Sequence, residues 1–167
     1  MDFKEWINKV IDSGALCANY TDKVNDAKSK RELMQIVLDP NGVSYLMKMQ
    51  SQGLALPYET IVKTFGSYIN GRYVAEYKNE KGNGYTSKIY CCFDEDTILV
   101  DTTLCSILGY KGTIVIDKNN FPKIYLDKNC DVKIVLGDGI RAIVEYWKGA
   151  KVVVMGNYDK VELIENV

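Results

Sequence analysis

The chain has 167 residues, 47% of them hydrophobic and 26% charged, with a formal net charge of −1; that is a folded globular balance and excludes a disordered chain. Ten basic and ten acidic residues fall in 1–80 and eleven and twelve in 81–167, so no concentrated basic field exists and a duplex nucleic acid partner is disfavoured. There is no histidine, which removes the commonest general base near neutral pH, the Ser-His and Cys-His pairs and most zinc sites.

The opening MDFKEWINKVID carries charges inside its apolar pattern, unlike the uninterrupted core of a signal peptide. No apolar run reaches the roughly 18 residues a membrane span requires. The five cysteines, Cys17, Cys91, Cys92, Cys105 and Cys130, are odd in number and form no CxxC pair. Reduced thiols in a cytoplasm are expected, with the cysteines as small core residues.

Helices are expected through the first half. Asp2 caps a helix to about Ser13 with Phe3, Ile7, Val10 and Ile11 on one face, and Gly14 stops it. A weaker helical piece follows Thr21. Ser29 and Glu32 have capping-box spacing ahead of Leu33, Ile36 and Val37. Asp39-Pro40-Asn41-Gly42 is expected to end that helix as a turn. A short helix then runs from Val43 to about Gln52, stopping at Gly53, and Pro57 opens another over Tyr58 to Phe65, ending at Gly66. VSYLMKMQSQ offers one lysine, so a helix-turn-helix reader of DNA is not supported.

Strands are expected through the second half. Arg72–Tyr77 and Tyr85–Phe93 read as a pair joined by NEKGNG. GNGYTSK lacks the Gly-Lys-Ser/Thr ending of a phosphate-cradling loop and is expected to be a hairpin tip. Further on, turn centres near Lys111, Asn120, Asn129, Asp138, Lys148 and Asn157 are spaced 9, 9, 9, 10 and 9 residues apart. Between them lie TIVID, KIYLD, VKIVL, RAIVEY, KVVVM and VELI, all short and rich in β-branched residues. Equal spacing is demanded by stacked coils of about 19 residues, each with two strands and two turns, and is not demanded by a meander. The expected fold class is α+β: a helical subdomain over 1–69, a hairpin and connecting strands over 70–108, and a short-stranded region over 109–167, together one continuous globular unit. For the last region a parallel β-solenoid is preferred, with an antiparallel meander or sandwich as the alternative. The charges of Glu162 and Glu165 soften its final edge.

The run INGRYVAEYKNEKGNGYTSKIYCCF, followed by DTTL and the short-strand repeats, resembles small proteins of bacteria, phages and other mobile elements in which a compact N-terminal part precedes a short β-solenoid. The resemblance spans about residues 29–165. It implies the solenoid and a phage-related setting, with a cytoplasmic or virion-associated location, and assigns no chemistry.

Two acidic patterns invite a catalytic or metal reading. Asp94 and Asp96, just past a strand end, resemble the nucleophile and acid/base of haloacid-dehalogenase-type phosphatases, whose resemblance would imply magnesium between carboxylate and phosphate. Ile98 departs from the residue usual at that motif position. The family also needs alternating strands and helices downstream, where this chain reads as strands. Asp101-Thr102-Thr103 is expected to be a turn or strand edge. Asp117, Asp127, Asp138 and Asp159 lie on turns, but the paired glycines of a calcium-binding roll are missing, so solvated turns are expected.

No cofactor and no metal are expected. The function that fits is a non-enzymatic interaction or structural module, presenting a rigid β surface to a protein partner or to another copy of itself. The candidate contact surface is aromatic: Tyr146, Trp147, Tyr125 and Tyr158. The alternative is a small-molecule or nucleotide-sequestering protein, with tyrosines for stacking and Arg72, Lys88 or Arg141 for phosphate.

Overall fold

A computed structural model describes residues 2–69, 73–78, 86–91, 93–118, 121–156 and 158–167. The chain divides into two compact units, Met1–Asn70 and Gly71–Val167.

The first unit is helical. α1 (Phe3–Asp12) begins with a full capping box, in which Asp2 accepts from the Glu5 amide and the Glu5 carboxylate accepts from the Asp2 amide. Phe3, Trp6, Ile7 and Val10 are its buried residues. Ile11 is only half-buried; Trp6 takes the inner place and its Nε1 donates to the Leu54 carbonyl at 2.7 Å. α2 (Ala18–Asp26) starts ahead of Thr21 and buries Tyr20 and Val24. α3 (Lys30–Val37) is capped by Ser29, whose hydroxyl accepts from the Glu32 amide. The reciprocal half differs from the expected box, because Glu32 turns back one residue further to accept from the Lys28 amide.

Two helix boundaries depart from the sequence reading. Asp39-Pro40-Asn41-Gly42 is the first turn of α4 (Pro40–Ser51) and not a separate turn. Proline at the first helical position sacrifices no hydrogen bond, and the Asp39 carboxylate accepts from the Gly42 amide at 2.6 Å. Gly42 is a glycine for reasons of space: a Cβ there would collide with the carbonyls of Ile36 and Val37 and with the Tyr20 hydroxyl. α5 (Tyr58–Ile69) runs through Gly66, a position where an added Cβ would meet nothing. A glycine inside a helix weakens it without ending it, and the buried Phe65 and Ile69 carry the helix past it.

The second unit is a parallel β-solenoid of about four turns, as the sequence spacing predicts. β1 (Tyr73–Lys78) lies antiparallel to β2 (Thr86–Cys91). Connection residues 79–85 fall outside the described residues, and the last three residues of the expected tip GNGYTSK, Thr86, Ser87 and Lys88, belong to β2. From β2 onward the coils climb through β3 (Thr97–Leu99), β4 (Leu104–Leu108), β5 (Lys111–Ile116), β6 (Lys123–Leu126), β7 (Asp131–Leu136), β8 (Ala142–Trp147), β9 (Lys151–Met155) and β10 (Val161–Asn166). They form two sheets, the first ordered β1-β2-β4-β6-β8-β10 and the second β3-β5-β7-β9. Stacking therefore begins at β2, upstream of Gly109.

Coil length is read directly from the register. Ser87 stands opposite Leu104, Leu104 opposite Lys123, Lys123 opposite Ile143 and Ala142 opposite Val161, so successive coils advance 17, 19, 20 and 19 residues. Parallel in-register stacking brings equivalent side chains into columns. Ile98, Ile114, Ile134 and Val154 form one such column, all buried, and Cys105, Ile124 and Val144 form a facing one. Lys111, expected as a turn centre, is the first residue of β5; the turn lies just before it, where Gly109 takes φ 67°. Asn120 and Asn157 fall outside the described residues.

Candidate functional site

Alternation along a strand sends consecutive side chains to opposite faces. One position beyond the buried column of the second sheet, Leu99, Val115, Val135 and Met155 are therefore aligned on its outward face, each the register partner of the next. Leu99 is 47% exposed, Val135 36% and Met155 50%, with Val153 on the same face at 49%. Val115 is half-buried; scattered exposed apolar residues need no explanation, but three of them in one in-register row do. Beside it runs the column Thr97, Thr113, Lys133 and Val153, and beyond that Lys111, Asp131 and Lys151, where Lys151 pairs with Asp131 at 3.5 Å. The result is an apolar strip with a polar, charged margin. Its sequence signal is the failure of alternation in TIVI, KIVL and VVVM, where both faces of the strand are apolar.

The four aromatic candidates do not share a face. Tyr125 pairs in register with Glu145 on the outer side of the first sheet, and the Lys123 ammonium sits 5.0 Å from its ring centre while also pairing with Glu145. Tyr146 is the next residue along, so it turns inward, half-buried against the core. Trp147, half-buried, has its Nε1 buried with no hydrogen-bond partner, and the same is true of Nδ2 of its register neighbour Asn166. Tyr158 is 66% exposed on the single-turn 3₁₀ helix Tyr158–Lys160.

The phosphate candidates are likewise separate. Arg72 falls outside the described residues. Lys88 is held by Asp101, with Nζ 2.8 and 2.9 Å from the two carboxylate oxygens, and lies 3.7 Å from Glu76. Its hydrogen bond to Asp101 raises the lysine pKa and lowers that of Asp101. Exposed Arg141 immediately precedes β8, three strand spacings from β2 in the sheet order, or about 14 Å.

Asp94 and Asp96 precede β3, and the Asp96 carbonyl accepts from the Thr113 amide in the next coil. Downstream of them the chain is solenoid, strand upon strand, in place of the strand–helix alternation that the phosphatase resemblance requires. Among the described residues no three Cys, Asp or Glu side chains converge as metal ligands. Asp127 overturns the expectation of a solvated turn. It is buried, and its carboxylate accepts from the Gly109 amide at 2.8 Å, from the Asn129 amide and side chain, and from the Cys130 thiol. Burial pushes the thiols of Cys105 and Cys130 up from their ordinary pKa.

The helical unit holds a groove of about 670 Å³ that sequence reasoning missed. Its rim includes Lys4, Lys30 and Lys63, and its floor Phe3, Ile7 and Leu33. These positions come from α1, α3 and α5, so no local motif announces the groove.

No protein-family model matches the chain. No solved structure matches it either. A curated relative, an odorant receptor coreceptor of Ooceraea biroi, is 35% identical over 65 residues, which is 37% of this chain and 13% of that protein. The chain thus spans about an eighth of that relative's length, too little of either protein to show a family. No helix among the described residues is long and apolar enough to cross a membrane.

Proposed function

We propose that the protein is a non-enzymatic interaction module that offers the outward face of the solenoid's second sheet to a protein partner. The observation that carries this reading is the row Leu99, Val115, Val135 and Met155, in register on the outward face of a stiff scaffold, with Val115 half-buried and the other three exposed. Rigid apolar anchors lose little freedom on docking, and the charged margin supplies orientation. The phage or mobile-element setting, and the cytoplasmic or virion-associated location, belong to this proposal on the sequence resemblance alone.

The test uses wild-type protein and a Val135→Lys variant as baits for the same bacterial lysate. A protein retained by the wild type is identified, purified and titrated against both. Placing an ammonium at the centre of the docked strip is expected to weaken that complex at least tenfold, about 1.4 kcal/mol. Equal affinity for both baits rejects the face as the contact surface.

A further inference from the structure

The two ends of the solenoid are finished differently. At the first, Lys88 lies over the interior column Cys105, Ile124 and Val144, and its charge is satisfied by Asp101 and Glu76. At the last, Leu163 continues that same column beyond Val144 and is 44% exposed. Val161 and Val152 beside it are only half-buried. This end is also stepped. β10 stacks on β8 in the first sheet, whereas among the described residues the second sheet reaches one strand lower, to β9.

We propose that a second copy of this chain completes the step, by a two-fold axis running parallel to the strands. This deepens the reading of the protein as an interaction module and rests on it, with a different surface. Such an axis turns the first sheet of one copy onto the second sheet of the other. The partner's β10 then fills the level above β9, and the partner's β9 lies on β10. Each pair is antiparallel, and the two β10 strands together form the one coil the copies share. A two-fold axis in the other direction, perpendicular to the sheets, sets β10 on β10 and leaves a gap between the two β9 strands.

Three features of the end support pairing with a second copy, and the second of them favours the first arrangement. The free edges match. The Lys151 amide donates to Cys130 in the coil below, so by alternation Val152 and Val154 direct their peptide groups outward. The Lys148 amide donates to the Asn166 carbonyl, so Val161, Leu163 and Glu165 direct theirs outward from β10. On both strands the residues with outward peptide groups are those facing the interior. Antiparallel pairing therefore keeps Val152, Val154, Val161 and Leu163 on the core side, where a one-residue slip would expose them, and leaves Glu165 beyond them at the exposed margin over half-buried Tyr146. Charge matches as well: on the outward face β9 begins with Lys151, while β10 carries Glu162. Pairing β9 with β10 puts opposite charges on one face of the seam, and pairing β10 with itself sets the two Glu162 carboxylates on that face. Finally, the interface is isologous, so it closes at two copies.

Light scattering after size exclusion, over a concentration series of the full chain, tests this. The wild type is expected to run as a dimer that dissociates on dilution. Leu163→Asp places a carboxylate in the shared coil and is expected to give a monomer with an unchanged circular dichroism spectrum. Lys151→Glu sets like charges on the seam and is expected to raise the dissociation constant about tenfold or more; under β10-on-β10 pairing, which leaves β9 unpaired, it changes nothing. Val135→Lys leaves the dimer intact, so failure of the outward face and failure of this end are read separately. A wild type that is monomeric at every concentration, a Leu163→Asp dimer, or Lys151→Glu without effect overturns the proposal. Should Leu163→Asp misfold, Val152→Pro removes one outward edge amide, and a folded Val152→Pro dimer of wild-type affinity likewise overturns it.

Discussion

Asp127 shows how one side chain joins two coils. It follows β6, yet its carboxylate accepts from the Gly109 amide one coil earlier and from Asn129 and Cys130 in its own turn. A buried carboxylate with several donors is stable only while they remain in place, and its removal leaves those donors orphaned. Asp127→Ala is expected to cost about 3 kcal/mol, read as a lower urea midpoint at unchanged slope. The turn is readable from the Asp-Lys-Asn run, but the inward direction of the carboxylate is not. That direction depends on an amide 18 positions upstream, which only the coil geometry brings near.

At the scale of elements, Lys88 on β2 and Asp101 ahead of β4 tie the first coil together, and their pKa shifts fix how this tie depends on pH. Asp101 is lowered by its hydrogen bond to Lys88, so its contribution is full above the ordinary carboxylate range and fades as pH falls through the lowered value. Lys88 is raised by the same bond, so its contribution is full below the ordinary lysine value and fades as pH rises through the raised one. Both groups are partly solvated. A double-mutant cycle with Lys88→Met and Asp101→Asn is therefore expected to give a coupling of about 0.5–1 kcal/mol at neutral pH and less in acid. The strands themselves are legible because β-branched runs recur at coil intervals, and the helices of the first unit announce most of their ends through a cap, a proline or a glycine. Gly42 and Gly66 mislead because a glycine that makes room for a neighbouring backbone, or simply sits on an open helix face, is written with the same letter as one that ends a helix. The outward row from Leu99 to Met155 is hidden for a related reason. An aromatic residue is conspicuous by its type alone, whereas the outward strip is visible only once residues about 20 apart are aligned by coil.

Across the whole molecule, five buried phenols and thiols shift in one direction. Burial raises Tyr20 in the helical unit, and Tyr90, Tyr110, Cys105 and Cys130 in the solenoid. A group raised on folding contributes stability that is whole below its unfolded value and is lost as pH rises toward the folded one. Stability is thus expected to fall with increasing slope above about pH 9, where unfolded thiols and then phenols begin to ionise. Denaturant titrations at pH 8, 9.5 and 10.5 measure that slope. A flat profile would contradict the burial of these groups. Two of them are also tied by hydrogen bonds: the Tyr20 hydroxyl donates to the Ile36 carbonyl and the Tyr110 hydroxyl to the Thr113 carbonyl.

Because Asp131 stands over Lys111 and Lys151 over Asp131, the middle of the second sheet has a period of 20 residues, and this constrains how such a gene can change length. Gain or loss of a few codons inside a coil would rotate every later side chain out of its column. Copying or deleting a whole period, such as 131–150, would leave the columns above and below continuous and merely make the rod taller or shorter. Relatives of this protein should accordingly differ in size by whole rungs.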